Sequence, residues 1–352
     1  MHSPRIALIS DDLTGALDAA APFVGAGLRT LVATTPDGIL PALRSMPDVL
    51  AVSMNTREGN AANAARIADQ VAEALIEVEW VFKKIDSRMK GHIGAESDAI
   101  ANRRRAARLV VCPAIPEMGR IVRNGRLQGF GVTGSIDVAT VSGMRGEKVV
   151  FADAESDAAL NSLVANETGS TLFVGARGLA SALARRFAAG PGPEMPVSLP
   201  EPVAISVGSR DPITLAQVER LRRARPDIVW IAAPNGHMPH AAPILGSLVL
   251  QATPGDAERS GADVTADLAR SFVRYCVDGR ASLFLTGGET AAAVLREMRV
   301  SVLDLLGEVR PGLPMARQAG VQDAAIIVTK SGGFGDDDVL CQLLPARTGL
   351  QA

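Results

Sequence analysis

Short apolar runs alternate with alanine-rich amphipathic stretches along almost the whole 352-residue chain, and no other feature constrains its fold so strongly. In the first half the apolar runs predict strands at 6–9, 28–33, 49–54, 81–85, 109–112, 148–151 and 172–174. Helical periodicity fills 13–26, 61–78, 94–105, 157–167 and 178–188. Such alternation predicts an α/β fold with a mostly parallel sheet flanked by helices. The pattern breaks once. Between 189 and 202 the run AGPGPEMPVSLPEP holds five prolines and two glycines, which can neither continue a helix nor pair inside a sheet. Beyond it the alternation resumes, with strands predicted at 203–207, 228–232, 248–250, 283–286 and 325–329 and helices at 213–223, 265–277 and 290–298. The expectation is two α/β domains, 1–190 and 202–352, joined by a linker at 191–201.

Composition narrows the function classes. A hydrophobic content of 47% with 21% charge is that of a packed globular chain, and no apolar run reaches the length of a membrane span. The N-terminus enters its first strand without a leader, so a cytoplasmic location is expected. Cys112, Cys276 and Cys341 lie far apart and read as reduced thiols rather than a disulfide or zinc site. A net charge of −2 and an aromatic content of 3% argue against a nucleic-acid partner. Arg103, Arg104, Arg105 and Arg108 read as a solvated helix face. The apolar helix faces suit a core or a homo-oligomer equally well.

The chemistry-bearing residues cluster at predicted strand ends, where open α/β sheets bind ligands. The first strand opens through Ser10, Asp11 and Asp12 into a helix. Capping explains one of these carboxylates but not both. Phe82 to Glu96 leaves a strand with Lys84 and Asp86 on the same side, because side chains alternate along a strand. Together with Asp11 and Asp12 they would make a polar pocket able to bind hydroxyls and take a proton from one. Arg57, past a third strand, could grip a carboxylate through two parallel hydrogen bonds. Residues 110–132 read as a long loop carrying Arg120 and Asn124 as further candidate substrate contacts.

In the second half, the segments 206–217, 283–295 and 326–340 each run from strand through a glycine-bearing turn toward a helix. Glycines let backbone approach a ligand, and helix starts hold phosphate oxygens, so a phosphorylated ligand, most simply a nucleotide, is expected there. Lys330, one of few lysines in an arginine-rich chain, stands beside the pair Gly332 and Gly333. No Walker pattern is present, and no G-x-G-x-x-G follows a predicted strand.

Taken together these segments resemble the four-carbon acid sugar kinase family. The family's marks stand here as DDLTG at 11–15, KKIDSRMKGHIGAE at 83–96, CPAIPEMGR at 112–120, GSRDPITLAQ at 208–217, GGETA at 287–291 and KSGGFG at 330–335. The resemblance implies a two-domain ATP-dependent kinase. It would phosphorylate the terminal hydroxyl of a sugar acid such as threonate, erythronate or a 3-oxo-tetronate in the cleft between the domains. It places Asp12, Arg57, Lys84, Asp86 and Ser87 on the substrate side, where Asp11 and Lys90 stand as further candidates. On the nucleotide side it places Ser209, Gly287, Gly288, Glu289, Thr290 and Gly332, with Lys330 and Gly333 as further candidates. ATP and Mg²⁺ are the implied cofactors, with the metal ligands unidentified. Arg57 and Lys84 are expected to hold the acid, and Asp12 or Asp86 to act as general base, Asp12 being favoured by its place at a helix start. The sequence departs from the family where Arg88, Lys90 and His92 stand, and it is shorter in its second half. These departures bear on which acid is taken. A non-catalytic two-domain binder of sugar acids and nucleotides is the alternative, and it leaves the adjacent carboxylates without a purpose. A nicotinamide-dependent dehydrogenase is disfavoured by the missing fingerprint.

Overall fold

The structure is a computed structural model describing residues 3–238 and 246–345. The chain divides into two compact units, Met1–Pro193 and Glu194–Ala352, and the division falls inside the proline-rich stretch.

In the first unit the strands are β1 (Ile6–Ser10), β2 (Thr30–Ala33), β3 (Val49–Ser53), β4 (Trp80–Lys84), β5 (Arg108–Cys112), β6 (Arg120–Arg123), β7 (Arg126–Gly129), β8 (Ile136–Asp137), β9 (Val149–Phe151) and β10 (Thr171–Gly175). Its helices are α1 (Leu13–Gly25), α2 (Ile39–Arg44), α3 (Ala61–Ala74), α4 (Ile93–Arg104), α5 (Val138–Ser142), α6 (Asp157–Ala165) and α7 (Arg177–Arg186). The main sheet runs β2-β3-β1-β4-β10-β5-β9 with every pair parallel. Strands β1, β3 and β4 are buried along their whole length, as continuous apolar runs covered on both faces should be. Helices α1 and α7 pack on each other, as do α3 and α4. The chain travels outward from β1 to β2, returns to β3, and then crosses to β4 on the other side of β1. That reversal brings the turns after β1, β3 and β4 to one edge, the place where such sheets bind ligands.

The loop expected at 110–132 is instead largely ordered, because β6, β7 and β8 form a small antiparallel sheet. Its first turn is Asn124-Gly125, both at positive φ, as a two-residue hairpin with the twist of its strands requires. The Asp153 carboxylate accepts both turn N–H groups, at 2.7 and 2.9 Å. The glycines at 129, 131 and 134 do follow a strand, β7, in a G-x-G-x-x-G pattern. They lead into β8 rather than a helix, so they form no dinucleotide turn.

The second unit contains β11 (Val203–Val207), β12 (Val229–Pro234), β13 (Leu248–Thr253), β14 (Ser282–Thr286), β15 (Val302–Arg310), β16 (Leu313–Gln318) and β17 (Ile326–Lys330). Its helices are α8 (Pro212–Ala224), α9 (Gly261–Cys276), α10 (Gly288–Glu297) and α11 (Val339–Gln342). The strand order is β12-β13-β11-β14-β17-β16-β15. The pairs from β12 to β17 are parallel, while β16 is antiparallel to both its neighbours. The β15–β16 hairpin was not among the predicted strands. Beyond its first two residues, β15 alternates between half-buried and buried positions, so it lacks the continuous apolar run that marks a two-sided strand. Among the described residues no helix is long and apolar enough to cross a membrane.

The cysteines follow their burial. Cys112 and Cys276 are fully buried, and burial pushes both thiols up to about 12, where thiolate is scarce. In the native chain neither should react with iodoacetamide at pH 8 on a timescale that labels all three cysteines after denaturation. Equal labelling rates in the two states, read by mass spectrometry of peptides, would contradict that burial.

Candidate active site

Asp11 and Asp12 follow β1 directly, and Asp12 caps α1. Its Oδ1 accepts from Gly15 N at 2.9 Å and its Oδ2 from Thr14 Oγ1 at 2.7 Å. Gly15 lets the polar side chains of the site close over the helix start. A Cβ there would lie 2.4 Å from Asp12 Oδ1, 2.8 Å from Ser10 Oγ and 3.2 Å from Lys84 Nζ. Gly91, at φ +91°, serves Asp11 in the same way, since a Cβ on it would lie 2.8 Å from Asp11 Oδ2.

Arg57 lies between the two carboxylates. Its Nε and Nη2 donate to Asp11 Oδ2 and Oδ1, both at 2.8 Å. Its Nη1 and Nη2 donate to Asp12 Oδ2 and Oδ1 at 2.8 and 3.0 Å. Burial alone would lower the Arg57 pKa, but the charge of Asp12 and the bonds and charge of Asp11 outweigh it, and the net shift is upward. Burial alone would likewise raise that of Asp11, but Lys83, the Arg57 bonds and Lys84 outweigh it and hold the carboxyl below its ordinary range. Arg57, read from sequence as a grip for a substrate carboxylate, therefore spends its fork on carboxylates of the protein.

The turn after β4 holds the third carboxylate. Asp86 Oδ1 accepts from Arg88 N at 2.9 Å and Lys90 N at 3.3 Å, which shapes the turn. Among the described residues its Oδ2 accepts no hydrogen bond, and the cation within 4.0 Å of it is Arg57 Nη1 at 3.9 Å. Lys84 is buried, with Nζ donating to Ile85 O at 2.9 Å. Ser87 Oγ accepts from Arg120 Nη1 at 2.6 Å. Lys90 is exposed. Asn124 stands at the tip of the β6–β7 hairpin, roughly 13 Å along the strand from Arg120 at 3.3 Å per residue. The structure does not bring it to this edge, and its positive φ explains it as a turn residue.

Three residues beneath the site escaped the sequence reading. Lys83 is fully buried with Nζ 2.7 Å from Glu96 Oε2, and Thr56 Oγ1 donates to Glu96 Oε1. Adjacent residues on a strand point to opposite faces, so a Lys-Lys pair ending a buried strand signals that one ammonium is buried and needs a counter-ion. Thr56 N also donates to Asp11 O at 2.9 Å, so this network fixes the backbone that carries Arg57.

In the second unit the turns after β11, β14 and β17 meet through absent side chains. A Cβ on Gly208 would lie 2.1 Å from Thr290 Oγ1, and one on Gly332 2.6 Å from Ser209 Oγ. Gly333 faces Asp211 Oδ2 at 3.1 Å by the same measure. Gly287, at φ +94°, precedes α10 and gives it no side-chain cap, so the first N–H groups from Gly288 onward have no cap at their open end. Among the described residues Thr286 Oγ1 and Thr329 Oγ1 have no hydrogen-bond partner, and both are buried. Glu289 lies exposed in the first turn of α10, and Thr290 is buried. Lys330, read from sequence as a ligand contact, turns inward instead. Its Nζ donates to the carbonyls of Ser331, Gly332 and Phe334 at 2.9 to 3.0 Å and to Thr214 Oγ1 at 3.1 Å. Thr214 and Gln217 of α8 bind the same loop, to Gly332 O at 2.6 Å and to Phe334 O and Asp336 O at 3.0 and 2.8 Å. Burial lowers the Lys330 pKa to about 8, with Asp211 opposing in part.

With this geometry in hand, comparison with known proteins is decisive. A D-threonate kinase of Bordetella bronchiseptica is 31% identical, over 98% of this chain and 98% of the relative. The chain belongs to the four-carbon acid sugar kinase family. Residues 6–134 match the family model described as a sugar-binding N-terminal domain, and 246–340 match that of a nucleotide-binding C-terminal domain. A 3-oxo-tetronate kinase of Pseudomonas savastanoi is 27% identical, again over 98% of each chain. A Haemophilus influenzae protein of known structure shares the fold, with a TM-score of 0.69, 20% identity and coverage of 96% and 98% of the two chains.

Two outcomes check this geometry. Glu96→Gln leaves the Lys83 charge buried without its counter-ion and should cost about 3–5 kcal/mol of unfolding free energy in urea; a loss below about 1 kcal/mol would mean that the pair contributes little. Lys330 sheds its proton near pH 8 when folded and near 10.5 when unfolded. Between those values the unfolded chain binds the extra proton, so stability rises with pH. The denaturant midpoint of the wild type should therefore climb relative to that of Lys330→Met from pH 8 to 10, and a flat difference would reject the shift.

Proposed function

We propose that this chain is an ATP-dependent kinase that phosphorylates the terminal hydroxyl of a four-carbon sugar acid such as threonate, erythronate or a 3-oxo-tetronate. The observation that carries the reading is one open carboxylate oxygen, Asp86 Oδ2, at the switch point of the first sheet, in a chain whose second sheet ends in a phosphate-type cradle. The curated kinases of the family support the same reaction.

The cradle fits a nucleotide's phosphates. Glycines at 208, 287 and 332 leave room for the phosphate chain, the uncapped start of α10 offers N–H donors to its oxygens, and Thr286 Oγ1 lacks a partner. Lys330, Thr214 and Gln217 hold the loop in shape and leave ligand contact to backbone and to Ser209, Gly333 and Thr290. Among the described residues no group of three or more His, Cys, Asp or Glu side chains could cage a metal. That suits Mg²⁺ entering on the phosphates with few protein ligands, Glu289 being the exposed carboxylate beside them. Bound there, the ion would neutralise phosphate charge.

Phosphoryl transfer asks the protein mainly for positioning and charge balance. On this reading Asp86 Oδ2 accepts the hydroxyl proton while the substrate oxygen bonds to the γ-phosphorus and the bond to ADP breaks. Asp12, the base favoured from sequence, is less suited. Its two oxygens already accept from Gly15, Thr14 and Arg57, which leaves neither of them open to a substrate hydroxyl. Asp11 and Asp12 instead hold Arg57, whose charge stands beside Asp86. Lys84 remains a candidate for the substrate hydroxyls.

ADP release from Mg-ATP, measured against a panel of four-carbon sugar acids, tests the reaction; no turnover with any of them would reject it. A general base contributes about 10²–10⁴-fold. Asp86→Asn should therefore lower kcat at least ~10²-fold, and Asp12→Asn should lower it less. The reverse order would return the base to Asp12.

A further inference from the structure

The acid needs a cation for its carboxylate, and the cations at the carboxyl edge of the first sheet differ in what they have left to offer. Arg57 is held by Asp11 and Asp12, Lys83 by Glu96, and Arg177 by Asp18 and Glu117. Lys84, a single buried ammonium bonded to Ile85 O, also has no carboxylate oxygen within 4.0 Å among the described residues, but Arg120 offers a planar fork. Arg120 is only 6% exposed, yet no carboxylate oxygen among the described residues lies within 4.0 Å of it. All its partners are neutral: Nε and Nη2 donate to Phe130 O at 3.0 and 2.8 Å, and Nη1 to Ser87 Oγ at 2.6 Å. A guanidinium carries five N–H groups, so these bonds leave one on each terminal nitrogen. A Cβ at Gly131 would lie 3.1 Å from Nη2, so the glycine leaves that nitrogen uncrowded.

Beside it stands a second cation. Arg88 is exposed and among the described residues its side chain makes no hydrogen bond or ion pair, while its backbone N–H is held by Asp86 Oδ1. Burial lowers the Arg120 pKa, the neighbouring Arg88 lowers it further, and Asp86 opposes in part. A buried charge without a counter-ion, next to another cation, is costly unless an anion joins them. The open oxygen of Asp86 thus stands near two guanidinium groups without a carboxylate partner, Arg88 on the same turn and Arg120 with two N–H groups left.

We propose that Arg120 and Arg88 together anchor the carboxylate of the sugar acid, a role the sequence assigned to Arg57. This rests on the kinase reading. The two terminal N–H groups of Arg120 match a carboxylate's two oxygens, and Arg88 adds a charge that reaches the same group from solvent. A phosphate oxygen pair of ATP has similar chemistry, so the test reads both Michaelis constants.

The experiment is steady-state ADP release by the full chain with threonate and with erythronate. Variants are Arg88→Ser, Arg88→Lys and Arg120→Gln. A charged hydrogen bond is worth roughly a tenfold change or more. Arg120→Gln should raise the KM for the acid ~10-fold or more, and Arg88→Ser several-fold, with the KM for ATP unmoved. Arg88→Lys should recover most of the loss. Arg120 also braces Phe130 and Ser87 and its variant could fold poorly, so Arg88→Ser, which removes no internal side-chain contact, carries the decision. An acid KM unmoved in Arg88→Ser, or a rise in the KM for ATP instead, overturns the assignment while leaving the kinase reading intact. A wild-type chain that turns over no acid overturns the kinase reading and the anchor with it.

Discussion

Two carboxylates placed side by side at the end of a buried strand cannot stay there without a cation between them, and Arg57 is that cation. Four hydrogen bonds join its guanidinium to Asp11 and Asp12. The position of Arg57 is in turn imposed from below. Thr56 is tied by its backbone to Asp11 and by its hydroxyl to Glu96, and Glu96 is held by the fully buried Lys83. The charges alternate in sign along this series of contacts, and each is placed by the next. Removing any one strands its neighbour in a medium that solvates it poorly, which is why such networks make rigid sites.

The two units solve the problem of a ligand edge in opposite ways. The first fills its edge with paired charges and leaves a few atoms open. The second empties its edge of side chains and relies on backbone. An empty edge needs support from behind, because a glycine loop has no side chains of its own to pack. Lys330, Thr214 and Gln217 supply that support by bonding the loop's carbonyls, which commits the loop's N–H groups to the opposite direction. A buried ammonium suits this work because its three donors can serve several carbonyls of one turn.

What could be read from the sequence followed from the kind of burial each segment has. Strands covered on both faces, such as β1, β3 and β4, show as unbroken apolar runs, and the α/β architecture was legible from them. The β15–β16 hairpin and the β6–β8 sheet were not, because one-sided or exposed strands interleave polar residues and resemble loops. In the site, Asp11, Asp12 and Asp86 stood out as carboxylates at strand ends. Arg57 was noticed but its pairing with Asp11 and Asp12 was not, since a sequence shows that a cation exists and not where its fork points. Lys83 and Glu96 were given no role, and only the alternation rule on a buried strand could have flagged them. The same rule applied to Ile326–Lys330 would have placed the Lys330 ammonium inside.

The choice between Asp12 and Asp86 turns on lone pairs rather than on position. A helix start attracts a carboxylate because its N–H groups use the carboxylate's lone pairs. Asp12 caps α1 and binds Arg57 as well, so the feature that draws attention to it in the sequence also occupies both of its oxygens. Asp86 spends one oxygen on its own turn and keeps the other free. On the proposed mechanism the division of labour follows from this difference. The two carboxylates nearest the helix hold the arginine, the arginine brings positive charge to within 3.9 Å of the third, and the third keeps an oxygen for the substrate.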